Sequence, residues 1–179
     1  MKPNKISLFW IEDQLDEFVN GGWGVLKAEL TKREFELEGE QPRAAKTVEE
    51  AEKMLQAFDT SESQKPDGIL LDLMLPQDEE ELKNGKVDLD AGYLIWFEIR
   101  HLKRWSSLAS VPIVVITARG RPEYMDQMLA DVATRWLSKP ADPSEVATML
   151  VEIVTSAGGW QEKQGKPESA ADSTVKKTN

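Results

Sequence analysis

The apolar run Gly68–Pro76, Gly-Ile-Leu-Leu-Asp-Leu-Met-Leu-Pro, constrains the fold more than any other part of the sequence. A continuous apolar segment bounded by Gly and Pro is typical of a strand that is buried on both faces, in the middle of a parallel sheet. Its only charged residue is Asp72. Because a buried carboxylate is costly unless it is paired or binds a metal, we expect Asp72 near the carboxyl end of the strand, where open α/β sheets bind ligands. Capping of the following turn is the simpler alternative for Asp72.

Three other segments share this design, in which polar residues follow an apolar strand at once. They are Ile6–Ile11 with Glu12 and Asp13, Val111–Ile116 with Thr117 and Ala118, and Trp136–Leu137 with Ser138, Lys139 and Pro140. If the strands are parallel, their polar ends meet at one edge of the sheet. Three carboxylates, a hydroxyl and an ammonium would then gather there. Such a set suits phosphoryl chemistry, in which carboxylates hold Mg²⁺, one carboxylate attacks, and Lys and Thr contact the phosphoryl oxygens.

The order and spacing of these pieces resemble the receiver domains of two-component response regulators. The matching motifs are Glu12-Asp13, Asp72 in Leu-Leu-Asp-Leu-Met-Leu-Pro, Thr117-Ala118 and Lys139-Pro140. The resemblance covers roughly the first 155 residues by domain-size reasoning. It implies an α/β fold, a doubly wound, five-stranded parallel sheet with helices on both faces, as in flavodoxin-like receivers.

The resemblance also implies a metal-dependent phosphoacceptor. Asp72 would accept the phosphoryl group and form an aspartyl phosphate. Mg²⁺ would be bound directly by Asp13 and Asp72, by the backbone carbonyl of Met74, and through water by Glu12.

The same resemblance implies a switch and two kinds of partner. Thr117 and Lys139 would hold the phosphoryl group, and Trp136 would stand where the family has its switch aromatic. The phosphoryl group would come from a sensor histidine kinase or a phosphotransfer protein. A downstream protein would bind the surface formed by the fourth helix, the fifth strand and the fifth helix.

Composition narrows the classes of function. Lys and Arg number 22 against 32 Asp and Glu, a net charge of −10, which disfavours nonspecific contact with nucleic-acid phosphates. We therefore expect one domain, with no DNA-binding output domain and no direct contact with nucleic acid.

The absence of Cys excludes disulfides, thiol catalysis and Cys-based zinc sites. No apolar run is long enough for a signal peptide or a membrane span, so we expect a cytoplasmic protein; a homodimer is left open.

The sequence departs from the receiver pattern after Pro76. Receivers pass through a short acidic loop into the third helix, whereas Gln77–Asp90 intervene here before Asp90-Ala-Gly92 opens that helix. We expect an inserted segment at about 77–90, with a solvated acidic run. Long loops in compact domains are usually functional or disordered, and this one begins beside the site and so bears on access to Asp72. A second metal site at Asp88 and Asp90 lacks further ligands.

The remaining periodicity predicts the other elements and their bounds. We expect a first strand over 6–13 and a second strand near 35–37. Between them we expect a helix over 14–31 that is interrupted by Gly21, Gly22 and Gly24. After them we expect a helix capped by Thr47, a third helix that ends at Arg104, a fourth over 123–133, and a last helix capped by Asp142 or Ser144. The receiver would occupy residues 1–156, and 157–179 would be a polar, disordered tail. His101 is expected on the surface.

These patterns favour a single-domain response regulator that is phosphorylated on Asp72 and signals through altered protein binding. It would not be an enzyme beyond self-catalysed phosphorylation and dephosphorylation. One alternative is a receiver-like binding module that does not depend on phosphorylation. Another is a phosphohydrolase of the haloacid dehalogenase type, but that family has a second Asp two residues after its nucleophile. The corresponding residue here is Met74, which cannot transfer protons.

Overall fold

A five-stranded parallel sheet forms the centre of the protein. The computed structural model describes residues 4–15, 22–61 and 64–156. Its strands are β1 (Asn4–Ile6), β2 (Leu8–Ile11), β3 (Phe35–Leu37), β4 (Arg43–Ala45), β5 (Gly68–Leu71), β6 (Ile113–Thr117) and β7 (Thr134–Ser138). The main sheet has the order β4-β2-β5-β6-β7, and β1 pairs with β3 in a separate two-stranded parallel sheet. The expected tail at 157–179 and residues 16–21 of the first expected helix lie outside the described residues.

Helices cover both faces of the sheet, as predicted. They are α1 (Gly22–Lys32), α2 (Val48–Thr60), α3 (Glu79–Lys83), α4 (Ala91–Phe97), α5 (Met125–Ala130) and α6 (Pro143–Ser156), with a π-helical turn at Glu98–Leu102 and a 3₁₀ turn at Ser106–Leu108. One hydrophobic cluster joins α1 and α6 to the sheet, and the other joins α2, α4 and α5. None of the described helices has the length and apolarity to cross a bilayer.

The central strand β5 is buried on both faces, which explains its uninterrupted apolar sequence. Ile69 and Leu71 point into one core cluster and Leu70 into the other, and all three are fully buried. Burying each such side chain contributes about 1.5–3 kcal/mol. The strand ends at Leu71, so Asp72 emerges at its carboxyl end as predicted.

The first two strands differ from the sequence prediction. The segment predicted over 6–13 is divided at Ser7, whose N–H donates to Asp67 Oδ2 at 2.9 Å. On one side of this break β1 pairs with β3, and on the other β2 pairs with β4 and β5. The predicted second strand is β3, but it pairs with β1 outside the five-stranded sheet, in which β4 takes the edge position expected for it. β4 was not predicted because Arg-Ala-Ala carries no alternating pattern.

The segment predicted as an insertion (the inserted segment, residues 77–90) is ordered, and the next two helices of the predicted receiver are shorter than predicted. Residues 77–90 contain α3, which has no buried residue, in agreement with a solvated acidic run. The third predicted helix begins at Ala91, but its α-helical part ends at Phe97 and passes into the π-helical turn. The helix predicted over 123–133 is restricted to Met125–Ala130.

Side-chain caps fix the starts of two helices where the sequence predicted them. Thr47 Oγ1 accepts the Glu50 N–H at 3.2 Å at the start of α2. Asp142 Oδ1 accepts the Ser144 N–H at 2.7 Å, and Pro143 is the first residue of α6. His101 is exposed, as predicted.

The start of α4 lies directly against the backbone that follows β5. The Gly92 N–H donates to the Leu73 carbonyl at 3.0 Å. A Cβ on Gly92 would lie 2.0 Å from the Asp72 carbonyl oxygen and 2.7 Å from the Leu73 Cα. Only glycine therefore permits this helix to pack beside Asp72.

Replacing this glycine should destabilise the protein. We predict that Gly92→Ala lowers the free energy of unfolding by about 2–3 kcal/mol or more, because the added methyl group meets backbone atoms that cannot yield without moving β5 or α4. Urea unfolding measures the change. Gly24→Ala is the control, since its Cβ meets nothing within 4 Å in α1, and it should stabilise the protein by about 0.5–1 kcal/mol. Equal effects of the two substitutions would contradict the packing described.

Candidate functional site

One ammonium group bridges two buried carboxylates at the carboxyl edge of the sheet. Lys139 Nζ lies 2.6 Å from Glu12 Oε2 and 2.6 Å from Asp72 Oδ2. Glu12 and Asp72 are each 4% exposed. The three residues follow β2, β5 and β7, so the parallel sheet brings together groups that are far apart in sequence.

Backbone hydrogen bonds hold these residues in place. The Asp72 N–H donates to the Ile11 carbonyl at 2.9 Å, the Glu12 N–H to Ala45 at 2.9 Å, and the Lys139 N–H to Thr117 at 2.8 Å. Each bond extends the strand pairing past the strand end. The carboxylates are therefore fixed by the sheet itself.

Asp72 also caps the turn that follows it. Its Oδ1 accepts the Met74 N–H at 3.1 Å while its Oδ2 contacts Lys139. Asp72 thus lies at the carboxyl end of the strand and also caps the following turn, as the alternative interpretation expected; its role in ligand binding stays a prediction. Glu12 has a similar local bond, since its Oε1 accepts the Gln14 N–H at 3.2 Å.

Burial and pairing act in opposite directions on these charges. Burial raises the pKa of Glu12 to about 7, with a further contribution from the charge of Asp72, although Lys139 opposes the shift. Burial alone would lower the pKa of Lys139. The hydrogen bonds and charges of Asp72 and Glu12 outweigh it and raise this pKa, so Lys139 is an ammonium at neutral pH.

A third carboxylate gives the cluster the character of a cation site. Glu12, Asp13 and Asp72 each offer a carboxylate oxygen, and these oxygens lie within 4.8 Å of one another. Mg²⁺ prefers hard oxygen ligands, commonly carboxylates. Among the described residues, the Lys139 ammonium is the group that forms ion pairs with these carboxylates, and the remaining negative charge is what a divalent cation would neutralise. The donor set therefore fits Mg²⁺.

A pocket of about 260 Å³ opens onto this cluster. The predicted site residues in its lining are Asp13, Asp72, Met74 and Lys139. The inserted segment contributes Leu82, Gly85, Lys86 and Val87. Sequence reasoning missed these four, and the only signal for them was that the insertion begins beside Asp72.

The fold and the site together match a known family. The sequence of residues 36–151 matches the response regulator receiver domain. The chain belongs to this family. The resemblance inferred from the motifs, and the five-stranded parallel α/β fold that it implied, are thus confirmed.

Two curated relatives match part of the receiver. The phosphate regulon transcriptional regulatory protein PhoB of Escherichia coli K12 is 35% identical over 89 residues, 50% of this chain and 32% of the relative. Its namesake in Pseudomonas aeruginosa is 31% identical over 109 residues, 61% of this chain and 41% of the relative. The matched region is less than half of either relative. The expected lack of a DNA-binding output domain stays a prediction.

Solved receiver structures share the fold. The signal receiver domain of a DNA binding response regulator from Colwellia psychrerythraea 34H has a TM-score of 0.56 at 19% identity, covering 84% of this chain and 98% of its own. A two component response regulator from Cytophaga hutchinsonii has a TM-score of 0.56 at 15% identity, covering 86% and 98%. At such low identity these structures show the fold alone.

The two predicted switch residues of the receiver lie outside the pocket lining. Thr117 is fully buried, and its Oγ1 accepts the Arg119 N–H at 3.1 Å. Its neighbour Ala118 lines the pocket instead. Trp136 is partly buried on β7 and packs against the core beneath α2, α4 and α5. Their roles stay predictions.

A polar network beside Thr117 was not predicted. Arg119 Nε lies 3.4 Å from Asp90 Oδ1, and the Tyr124 hydroxyl donates to the same oxygen at 2.5 Å. Burial, together with Asp90, raises the pKa of Tyr124. Asp88 Oδ1 accepts the Asp90 N–H at 2.9 Å. Both aspartates of the hypothetical second metal site are thus engaged in protein contacts, and the network connects the end of β6 to the starts of α4 and α5.

The excess of carboxylates should cost stability when no metal is bound. Two like charges about 4 Å apart repel by about 4 kcal/mol at an effective dielectric of 20. We predict that Asp13→Asn raises the melting temperature of the metal-free receiver and abolishes its stabilisation by Mg²⁺. Thermal unfolding with EDTA or Mg²⁺ measures both effects. The control Glu36→Gln, at the exposed position of β3, also removes one negative charge and should leave the response to Mg²⁺ intact. An Asp13→Asn variant no more stable than wild type in EDTA would contradict a repulsive cluster.

Proposed function

We propose that this receiver accepts a phosphoryl group on Asp72 from a sensor histidine kinase or a phosphotransfer protein, in a Mg²⁺-dependent reaction, and signals through altered protein binding. The observation that carries the proposal is the contact of Lys139 Nζ with the Asp72 carboxylate at 2.6 Å, at the edge of an open pocket. The adjacent carboxylates of Glu12 and Asp13 complete a set suited to phosphoryl transfer.

The transfer step follows from the nucleophilic character of the carboxylate. An Asp72 oxygen attacks phosphorus and forms a P–O bond, while the P–N bond of the donor phosphohistidine breaks. The imidazole nitrogen keeps the electron pair and takes a proton. Mg²⁺, held by Asp13, Asp72, the Met74 carbonyl and, through water, Glu12, would neutralise charge on the phosphoryl oxygens.

Lys139 has the capacity to hold the transferred group. An ammonium has three N–H donors, and Glu12 and Asp72 use two of them. The third can bind an oxygen of the incoming phosphoryl group while both pairs are intact, and after transfer the phosphoryl charge replaces the carboxylate charge of Asp72 as a partner of Lys139. Lys139 therefore orients Asp72 before transfer and stabilises the added negative charge after it.

The output would begin at Thr117. To bond a phosphoryl oxygen, the Thr117 hydroxyl would turn its proton toward Asp72 and shift from its present position, in which its oxygen accepts the Arg119 N–H. That change would disturb the loop whose Arg119 side chain lies beside Asp90, and Trp136 on the neighbouring strand would adjust to the vacated space. The partner surface would be that of α5, β7 and α6. A cytoplasmic location remains part of this proposal.

Asp72 should be the site of phosphorylation. We predict that incubation with acetyl phosphate and Mg²⁺ gives one labile phosphoryl adduct by intact mass, with acetate as the leaving group. Asp72→Asn should abolish the adduct because it lacks the nucleophilic oxygen, and should leave the circular dichroism spectrum unchanged. Asp126→Asn is the matched control, since Asp126 is exposed and pairs with Arg121 on the surface, and it should label normally.

The same experiment separates the alternatives. A phosphohydrolase would release phosphate continuously with little adduct, and a phosphorylation-independent binding module would give neither product. Labelling of Asp72→Asn at wild-type stoichiometry would disprove the assignment of the phosphoacceptor.

Trp136 should report the switch. We predict that beryllofluoride with Mg²⁺ changes the tryptophan fluorescence of wild type, and that Trp136→Phe removes this change. The shift in population should be small or slow, because an indole needs more room to turn than the phenol or phenyl ring usual in receivers. Trp23→Phe, which removes an indole from the opposite face of the sheet, should keep the signal. Survival of the full signal in Trp136→Phe would assign the switch to another residue.

A further inference from the structure

We propose that Lys86 of the inserted segment captures anionic phosphodonors at the mouth of the pocket and so helps to determine which donors reach Asp72. Lys86 lines the same pocket as Asp72 and Lys139, yet no part of the receiver motif set includes it. The proposal rests on the proposed phosphorylation of Asp72 and adds a specificity-determining residue to it.

The inserted segment is anchored at its base. Leu75 and Asp88 exchange two backbone hydrogen bonds, of 3.1 Å from the Leu75 N–H and 2.9 Å from the Asp88 N–H. The first N–H groups of α2, on Val48 and Glu49, donate to the Pro76 and Gln77 carbonyls at 3.0 Å each. These four bonds make the segment a fixed wall of the pocket, because its two ends are tied to the sheet edge and to a neighbouring helix.

The local sequence of the segment places Lys86 in that wall. Asp78 Oδ1 accepts the Glu81 N–H at 2.9 Å and starts α3. The helix stops at Asn84, and Gly85 follows with φ +65°, a left-handed conformation that glycine adopts without strain. The chain turns there, and the Lys86 N–H bonds back to the Glu81 carbonyl at 2.9 Å. Gly85, Lys86 and Val87 then line the pocket together.

The pocket needs a cation that is free to meet an anion. A phosphodonor carries negative charge, and the carboxylates of Asp13 and Asp72 in the lining repel it. Two lining residues are cationic, Lys86 and Lys139, but Lys139 is held between Glu12 and Asp72. Lys86 is paired with Glu81; the Lys86 side chain is 71% exposed and the Glu81 side chain 20% exposed. Because the ammonium end of the pair lies at the surface, where ion pairs contribute little to stability, a phosphate can compete with Glu81 for Lys86.

The matched comparison is between two lysines of the same segment. Lys83 is paired with Glu79 in α3, and both side chains are more than 70% exposed, but Lys83 is not in the pocket lining. Lys86→Gln and Lys83→Gln therefore remove the same charge, and only the first removes it from the pocket. Neither residue belongs to the core, so both variants should fold as wild type does.

The measurement is the second-order rate constant for phosphorylation by acetyl phosphate with Mg²⁺. We expect Lys86→Gln to lower this rate constant about fivefold, which is the effect of one contact between unit charges in a high dielectric. Lys86→Arg should retain most of the wild-type rate constant, and Lys83→Gln should leave it near the wild-type value. The difference should vanish at about 1 M salt, where the Debye length is about 3 Å. Equal rates for Lys86→Gln and Lys83→Gln at low salt would overturn the role of Lys86.

The outcomes separate this inference from the proposed function. If wild type forms no adduct, the proposed phosphorylation fails; if wild type labels and the two lysine variants behave alike, only the role of Lys86 fails. A second readout needs no transfer. Methylphosphonate titrated into Asp72→Asn should shift the amide resonances of Gly85 and Lys86 more than that of Lys83, and equal shifts would count against the proposal.

Discussion

The structure of the site depends on the single ammonium of Lys139 between the buried carboxylates of Glu12 and Asp72. Two ionised carboxylates are costly to bury side by side unless one takes up a proton or nearby positive charge compensates them. Lys139 supplies it at 2.6 Å to each partner. Because the three residues follow three different strands, this contact forms only when the parallel sheet has its native order and register.

The remaining negative charge explains how the surroundings are built. Asp13 adds a third carboxylate that Lys139 does not contact directly, which makes the cluster receptive to a divalent cation. Polar groups of the loop after β6 are held away from the pocket, with Thr117 turned to Arg119 and Arg119 beside Asp90. The inserted segment closes another part of the rim and brings a second lysine to it.

The sequence predicted the parts of the fold and site that depend on local pattern. The uninterrupted apolar run placed Asp72 after a central strand, and polar residues after other strands placed Glu12 and Lys139 beside it. The features that were missed depend on distant partners. Ser7 divides the first strand because it bonds Asp67, and Arg-Ala-Ala in β4 has no alternating pattern. The contact of Tyr124 with Asp90 joins two loops that only the folded sheet brings together. Gly92 gave no sign in the sequence that its missing side chain makes room for the Asp72 backbone.

A double-mutant cycle on the metal-free protein tests the bridging role of Lys139 most directly. Urea unfolding of wild type, Lys139→Met, Glu12→Gln and the double variant gives the coupling energy between the two side chains. Removing one partner of a buried ion pair commonly costs about 3–5 kcal/mol. Lys139→Met should therefore lower the free energy of unfolding by about that amount, and adding Glu12→Gln in the double variant should restore a large part of the loss. A loss below about 1 kcal/mol, with the two substitutions simply additive, would contradict the bridge.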